Sequence, residues 1–206
     1  MKVLIAGGSG FLGTALRTSL VQDGHDVYIL TRRPSRGPSE IQWDGKTPNG
    51  WGQLVNDMDA VVNLTGLGLE HWPWTQKQKQ KFVDSRVLPG LALASAIENA
   101  ARRPRVFLQT SGINRYGLRG EGRADESTPP AADFLAQLTV KWEEATKSVE
   151  ELGVRRVIAR NAVVLARNDG LFPLMALAPR FFFGGKFGDG KQAMPWIHIV
   201  DQTKAM

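Results

Sequence analysis

The stretch "KVLIAGGSGFLG" (residues 2–13) decides the fold. "KVLIAG" (2–7) is a short apolar run closed by glycine, as expected of a strand buried on both faces. "FLGTALRTSLVQDG" (11–24) has helical spacing, with Phe11, Leu12, Ala15, Leu16 and Leu20 apolar and Gly24 as a stop. Between them the glycines fit two related patterns. Gly8, Gly10 and Gly13 fit GxGxxG, and Gly7, Gly10 and Gly13 fit GxxGxxG. In a strand–turn–helix context that spacing has a physical purpose. One glycine allows the tight turn, a bare Gly10 lets a pyrophosphate approach the backbone, and Gly13 lets helix and strand pack closely. The phosphates then sit at the positive end of the helix. Gly7, Ser9, Gly10, Phe11, Leu12 and Gly13 are the candidate contacts. The alternative is a turn that needs glycine and binds nothing.

Working outward, "DVYILTR" (26–32), "IQW" (41–43), "DAVVNLTG" (59–66), "RVFLQTSG" (105–112) and "VRRVIARNAVVLA" (154–166) read as further strands. Helices are expected over 75–99 and 133–152. Alternating strands and helices imply an α/β fold, a doubly wound parallel sheet of the Rossmann type with helices on both faces. Residues 1–166 form the expected dinucleotide-binding domain, and 167–206 the start of a substrate-binding lobe plus the last strand of the sheet. The polar, Gly- and Pro-rich segment 117–132 reads as an excursion over the carboxyl edge, where such folds hold their ligands.

Composition narrows the field. The 206 residues are 42% hydrophobic and 22% charged, enough apolar material for one filled core. There is no cysteine, which excludes disulfides and thiolate-bound metal centres. His25, His71 and His198 form no ligand-spaced pair, so no metal site is expected. The apolar run at the amino terminus is too short for a signal-peptide core. The longest apolar region, "LFPLMALAPRFFF" (171–183), is interrupted by Pro173, Pro179 and Arg180 and is too short to span a bilayer. A soluble, cytoplasmic protein with no membrane partner is expected. The net charge of +6 comes from scattered basic residues without a nucleic-acid module, so no nucleic-acid partner is expected.

The second strand bears on the choice of dinucleotide. An NAD site usually has an acid at its end, holding the ribose 2′-hydroxyl. Here "ILTRRP" (29–34) places Thr31, Arg32 and Arg33 there, and Asp26 is at the wrong end. An arginine can grip a 2′-phosphate through two parallel charged hydrogen bonds, which predicts NADP over NAD. The alternative is a pair of exposed loop arginines.

"NLTG" (63–66), "DSRV" (84–87), "TSGINRYG" (110–117), "KWEEA" (141–145), "ARNAVVLA" (159–166) and "PWIHIVD" (195–201) follow the glycine loop in this order. Together they resemble the epimerase family of atypical extended short-chain dehydrogenases/reductases, related to nucleotide-sugar epimerases; some members have been labelled cell-division inhibitors. The resemblance covers essentially the whole chain. It implies that Leu64, Thr65 and Gly66 lie beside the adenine ribose, that Arg86 reaches the cofactor from the helix after strand four, and that Val164 lies near the nicotinamide end. Read without it, these are a strand end, a helix-surface arginine and a core valine.

The chain also departs from that pattern. The wider superfamily uses YxxxK on the helix after strand five, the tyrosine moving a proton and the lysine supporting it. In "DFLAQLTVKWEEA" (133–145) Lys141 is preceded by Gln137, and other registers offer only Leu135 or Thr139. After "NLTG", Leu67 and Pro73 stand where the family usually has an acid and a base. No GxSxG elbow points to a hydrolase. Ser111 and Tyr116 remain as candidates to polarise a substrate carbonyl; otherwise they are a strand-end cap and a packed turn tyrosine.

Two functions stay open. One is an NADP-dependent oxidoreductase or epimerase-like enzyme acting on a small organic or sugar-derived substrate. The other is a catalytically degenerate NADP(H)-binding regulator or assembly partner. In the resembling family a further portion of roughly ninety residues follows the strand equivalent to Trp196–Val200 and the helix begun at Asp201. The ending "PWIHIVDQTKAM" (195–206) therefore reads as a truncation. Loss of that cover would expose 171–183 and favour a homodimer.

Overall fold

The computed structural model describes residues 1–117, 122–186 and 189–206. Residues 118–121 of the expected excursion lie outside this set. The chain runs β1 (Lys2–Ala6), α1 (Phe11–Gln22), β2 (Asp26–Thr31), β3 (Glu40–Gln42), a 3-10 turn (Gly52–Asp57), β4 (Ala60–Asn63), α2 (Gln76–Glu98) and β5 (Val106–Gly112). A second 3-10 turn (Ile113–Tyr116) leads to α3 (Phe134–Glu144), α4 (Ser148–Glu151), β6 (Arg155–Asn161), β7 (Val163–Ala166), β8 (Asp169–Gly170), α5 (Phe172–Arg180), β9 (Trp196–His198) and α6 (Ile199–Ala205).

Six strands form a parallel sheet in the order β3-β2-β1-β4-β5-β6. The chain builds outward from β1 to β3, then restarts at β4 on the other side of β1. That reversal opens a crevice at the carboxyl ends of β1 and β4. The central strands β1 and β4 are largely apolar because both faces are covered, with alternate residues entering different cores. Leu4, Ala6, Leu30, Val61 and Phe107 pack with Leu93 and Ile97 of α2. Val3, Ile5, Val27, Ile29 and Val62 pack with Leu16 of α1.

Local chemistry sets the helix ends. The Thr75 hydroxyl accepts from the Gln78 amide and caps α2. The Asp133 carboxylate accepts from the Leu135 and Ala136 amides and caps α3.

The expected helix over 133–152 is in fact two. At its break the Thr146 hydroxyl donates to the Glu143 carbonyl at 3.3 Å, and Arg156 Nη1 donates to the same carbonyl at 2.7 Å. Side chains thus occupy an acceptor that a continued helix would use. The expected strand 154–166 also divides. β6 ends at Asn161, and β7 enters a separate sheet of order β8-β7-β9. The Asn161 side chain donates to Thr110 Oγ1 and accepts from Gln202 Nε2, each at 3.0 Å, which ties down the chain where it changes sheets. The last strand is shorter than expected, and α6 starts at Ile199, with the His198 ring accepting from the Val200 amide.

α6 packs on α1 and so returns to the main sheet. α5 and the residues after it leave Leu174, Phe181 and Phe183 exposed, and Phe182 is 98% exposed. Among the described residues, no helix is long and apolar enough to cross a membrane. Phe107 is fully buried in the sheet centre, so Phe107→Ala should lower the unfolding free energy by about 3–5 kcal/mol, measured by urea denaturation.

Candidate functional site

The turn after β1 is shaped by contacts that no side chain could share. Gly7 has φ +83°, and a Cβ there would lie 2.9 Å from the Leu64 carbonyl oxygen. A Cβ on Gly13 would run into the Gly7 carbonyl oxygen, and one on Gly8 into the Ile29 side chain. The Gly10 amide donates to the Gly7 carbonyl at 3.0 Å and closes the turn. Gly10 then caps α1 without any side-chain hydrogen bond, and the first turn holds no acid. The amino end of α1 is therefore bare, positive and free of a competing carboxylate.

The end of β2 lies beside this loop. Thr31 is buried, and its hydroxyl accepts from the Arg33 amide at 3.2 Å. Arg32 is exposed, with its side chain beside Gly45. Arg33 and Arg36 line an open cleft of about 520 Å³ together with Ser9 and Arg17. Arg17 is paired with Glu40 at 3.2 Å. Arg36 was not a sequence candidate. It is placed by the following turn, where the Ser35 hydroxyl donates to the Gly37 and Glu40 carbonyls. A larger concavity of about 710 Å³ lies by Trp51, Leu54 and the end of α2, with Asp57 as its one titratable residue among those described. It contains none of the candidate residues.

At the end of β4, Asn63 is fully buried. Its amide nitrogen donates to Gln109 Oε1 at 2.9 Å, and its oxygen accepts from the Thr65 amide and hydroxyl. Thr65 is thereby fixed, while the Leu64 amide extends the ladder to the Ala6 carbonyl. Arg86 closes over Gly66, where a Cβ would lie 3.2 Å from Cζ. Arg86 is 8% exposed, donates to the Phe82 carbonyl at 3.2 Å and lies over the Trp142 ring. Among the described residues no carboxylate pairs with it, and burial pushes its guanidinium down to about 10. A buried cation without a carboxylate is costly unless something else neutralises it.

The end of β5 is built differently. Ser111 is buried, and its hydroxyl donates to Glu143 Oε1 at 2.6 Å. The same carboxylate accepts from Arg160 Nε at 2.9 Å and Nη2 at 3.0 Å, and Arg115 lies 3.3 Å away. Arg160 Nη1 donates to the Tyr116 hydroxyl at 2.9 Å. Burial pushes the Glu143 carboxyl up, but bonds from Arg160 and Ser111 and the nearby guanidinium charges outweigh it and hold the group below its ordinary 4.5.

The structure thus brings Ser111 and Tyr116 into one network through Glu143 and Arg160, neither of which was a sequence candidate. A signal existed, since an arginine inside a strand expected to be buried on both faces needs a partner. The α3 side chains supply no relay of the tyrosine–lysine kind. Gln137 donates to the Ala131 carbonyl, Thr139 to the Leu135 carbonyl, and Lys141 is exposed. Val164 sits in β7 opposite Ile197, half-buried. The glycine loop and Leu64–Gly66 follow the ends of β1 and β4, and Ser111 lies at the carboxyl end of the neighbouring β5, the strands roughly 4.8 Å apart along one edge.

Residues 3–206 match the model of the NAD dependent epimerase/dehydratase family. Among curated relatives, Epimerase family protein ML0860 of Mycobacterium leprae is 34% identical over 204 residues, covering 99% of this chain and 66% of the relative. The human protein SDR39U1 is 35% identical, with 98% and 67% covered. A crystal structure of human SDR39U1 with NADPH superposes with a TM-score of 0.86 at 34% identity, covering 98% of this chain and 68% of the other. A nucleoside-diphosphate sugar epimerase from Corynebacterium glutamicum gives 0.85 at 31% identity, with 100% and 42% covered. The chain spans about two thirds of the length of the curated relatives it matches.

Two outcomes follow from this geometry. Gly13→Ala should reduce stability and ligand binding together, because the new methyl meets the Gly7 carbonyl; calorimetry reads both. Glu143→Gln should cost about 3–5 kcal/mol at neutral pH by leaving the guanidinium charges unbalanced. Because the folded-state carboxyl is held below 4.5, its contribution is complete above the ordinary carboxylate range and lost as pH falls through the lowered value. Urea unfolding at stepped pH should therefore show the gap between parent and variant narrowing below pH 4.5.

Proposed function

The chain belongs to the NAD dependent epimerase/dehydratase family, and from that premise we propose that it binds NADP(H) at the carboxyl edge of its sheet and acts on a small organic or sugar-derived substrate. The observation that carries this reading is the bare amino end of α1 behind a turn in which added Cβ atoms would strike backbone. Such a turn suits the close approach of a pyrophosphate. The NADPH held by the human relative in its crystal structure supports the same choice.

The residues present fit that cofactor. Gly7, Ser9, Gly10, Phe11, Leu12 and Gly13 would hold the pyrophosphate. Thr31 and Arg32, with Arg33 beside them, would meet the 2′-phosphate. Leu64, Thr65 and Gly66 would line the adenine ribose, and buried Arg86 would find in the cofactor the negative charge that no carboxylate among the described residues provides. Val164 would border the nicotinamide end. When bound, the nicotinamide supplies or accepts a hydride. Ser111 and Tyr116 would polarise the substrate carbonyl. With the Ser111 hydroxyl engaged by Glu143, contact with a substrate oxygen falls mainly to Tyr116. Residues 1–166 would form the cofactor domain and 167–206 the beginning of the substrate side.

A second reading is an NADP(H)-binding regulator or assembly partner without turnover. It is favoured by the missing tyrosine on α3 and by the buried Ser111. Incubating the chain and NADPH with a panel of aldehydes, ketones and keto-sugars separates the two. Tight binding without oxidation of NADPH favours the regulator.

NADPH should bind about tenfold or more tighter than NADH, a difference of about 1.4 kcal/mol. Arg32→Ala combined with Arg33→Ala should remove most of that preference, since each charged hydrogen bond is worth about 1.5–3 kcal/mol. Tryptophan fluorescence quenching measures both. Equal affinities in the parent chain would falsify the NADP assignment.

A further inference from the structure

Arg86 projects from α2, whose amino end lies at the carboxyl edge of the sheet because the helix follows β4. Helical side chains lean toward the amino end of their own helix. Arg86 does so, its Nη1 donating one turn back to the Phe82 carbonyl at 3.2 Å and to Ser85 Oγ at 3.4 Å. The guanidinium is thereby brought to Gly66, where a Cβ would lie 3.3 Å from Nη2 and 3.4 Å from Nε. The Leu67 amide donates to Ser85 Oγ at 3.0 Å and ties this segment to α2. From α3, Trp142 brings its ring centroid to 4.9 Å from the guanidinium carbon.

Both side chains are buried, Arg86 and Trp142 each at 8% exposure. Nε and Nη2 make no hydrogen bond among the described residues, and no carboxylate there pairs with the group. A tryptophan face attracts a cation more strongly than a tyrosine or phenylalanine face does, and the attraction grows with desolvation. Trp142 is not held by its own polar edge, since its Nε1 is buried and makes no hydrogen bond among the described residues. A buried indole ordinarily finds a partner for that N–H. At this position the face of the ring is used instead.

We propose that Trp142 is a positioning residue whose ring holds the Arg86 guanidinium against Gly66, leaving Nε and Nη2 available to an anionic ligand at this edge. The inference rests on the reading above in which Arg86 meets the negative charge of NADP(H), and it extends that reading to a residue that touches no cofactor. An arginine side chain has many rotamers, and ordering it costs entropy. When the side chain is ordered beforehand, that cost is not drawn from binding. A carboxylate would order it too, but would compete with the ligand for the same N–H groups. A ring face orders the cation and leaves those groups free.

Trp142→Phe keeps an aromatic face, and Trp142→Met fills similar space without one. Isothermal titration calorimetry with NADPH compares them. Trp142→Phe should bind within about twofold of the parent, and Trp142→Met about threefold to fivefold more weakly. Neither substitution removes a side-chain hydrogen bond made among the described residues, so the difference reads the ring face. In the Arg86→Gln background the two substitutions at position 142 should bind NADPH alike, which a merely structural role for the ring would not produce. Equal affinities of Trp142→Phe and Trp142→Met with Arg86 in place overturn the proposal. A difference that persists undiminished beside Arg86→Gln overturns it as well.

Should a variant fail to fold by circular dichroism, or bind too weakly to titrate, nuclear magnetic resonance on the parent decides. The Arg86 Nε–Hε proton should resonate upfield of those of exposed arginines, because the ring face shields it, and should shift as NADPH is added. An ordinary position, or no shift at saturating NADPH, overturns the proposal. A parent that does not bind NADPH defeats the cofactor reading and this inference together. A parent that binds NADPH and fails the aromatic comparison defeats this inference alone.

Discussion

The approach of Gly13 to the Gly7 carbonyl is the constraint on which the rest of the molecule depends. It sets α1 directly on the end of β1, closer than any side chain would permit. From that contact follow the bare helix end, the place of Leu64 against Gly7, and the crevice between β1 and β4. The two cores lock the same arrangement from either face of the sheet, Leu16 holding α1 on one side and Leu93 and Ile97 holding α2 on the other. Close packing here serves chemistry as much as stability, since the helix dipole acts only on what reaches its last exposed amides.

Two arginines, Arg86 buried and Arg160 partly buried, show how differently one residue type can be housed. Arg86 has a tryptophan ring, a backbone carbonyl, the Ser85 hydroxyl and, among the described residues, no carboxylate, and burial depresses its ionisation. Arg160 has a two-point bond to Glu143 and a bond to Tyr116, and its ionisation is raised, chiefly by Glu143. The first is a cation at the carboxyl edge of the sheet with no carboxylate partner among the described residues. The second is a satisfied hub whose charge is already shared among fixed partners.

Much of the fold could be read from the sequence because its causes are local. A run such as "KVLIAG" (2–7) has no stable place except between two covering layers, and the glycines after it answer to a turn a few residues long. The errors arose where distant residues intervene. The helix stops at Glu144 because Thr146 and Arg156 take the Glu143 carbonyl, and the strand divides at residue 162 because Asn161 is tied to Thr110 and Gln202. The same limit governed the site. The glycine loop was visible as a motif. The union of Ser111, Tyr116, Glu143 and Arg160 spans β5, a 3-10 turn, α3 and β6, and only the strand register that sets Ser111 beside Arg160 unites them.

The hydrogen bonds from Gln202 to Asn161 and from Asn161 to Thr110 also have a mechanical side. α6 is sutured to the ends of β6 and β5 while its other contacts clasp α1, and Met206 reaches the core around Leu16. The helix behind the glycine loop is therefore gripped by the sheet on one side and by a late segment of the chain on the other. An anion that bound at that loop would meet amides already aligned. Little ordering entropy would be left to spend on binding, so its affinity would come from preorganisation rather than from added contacts.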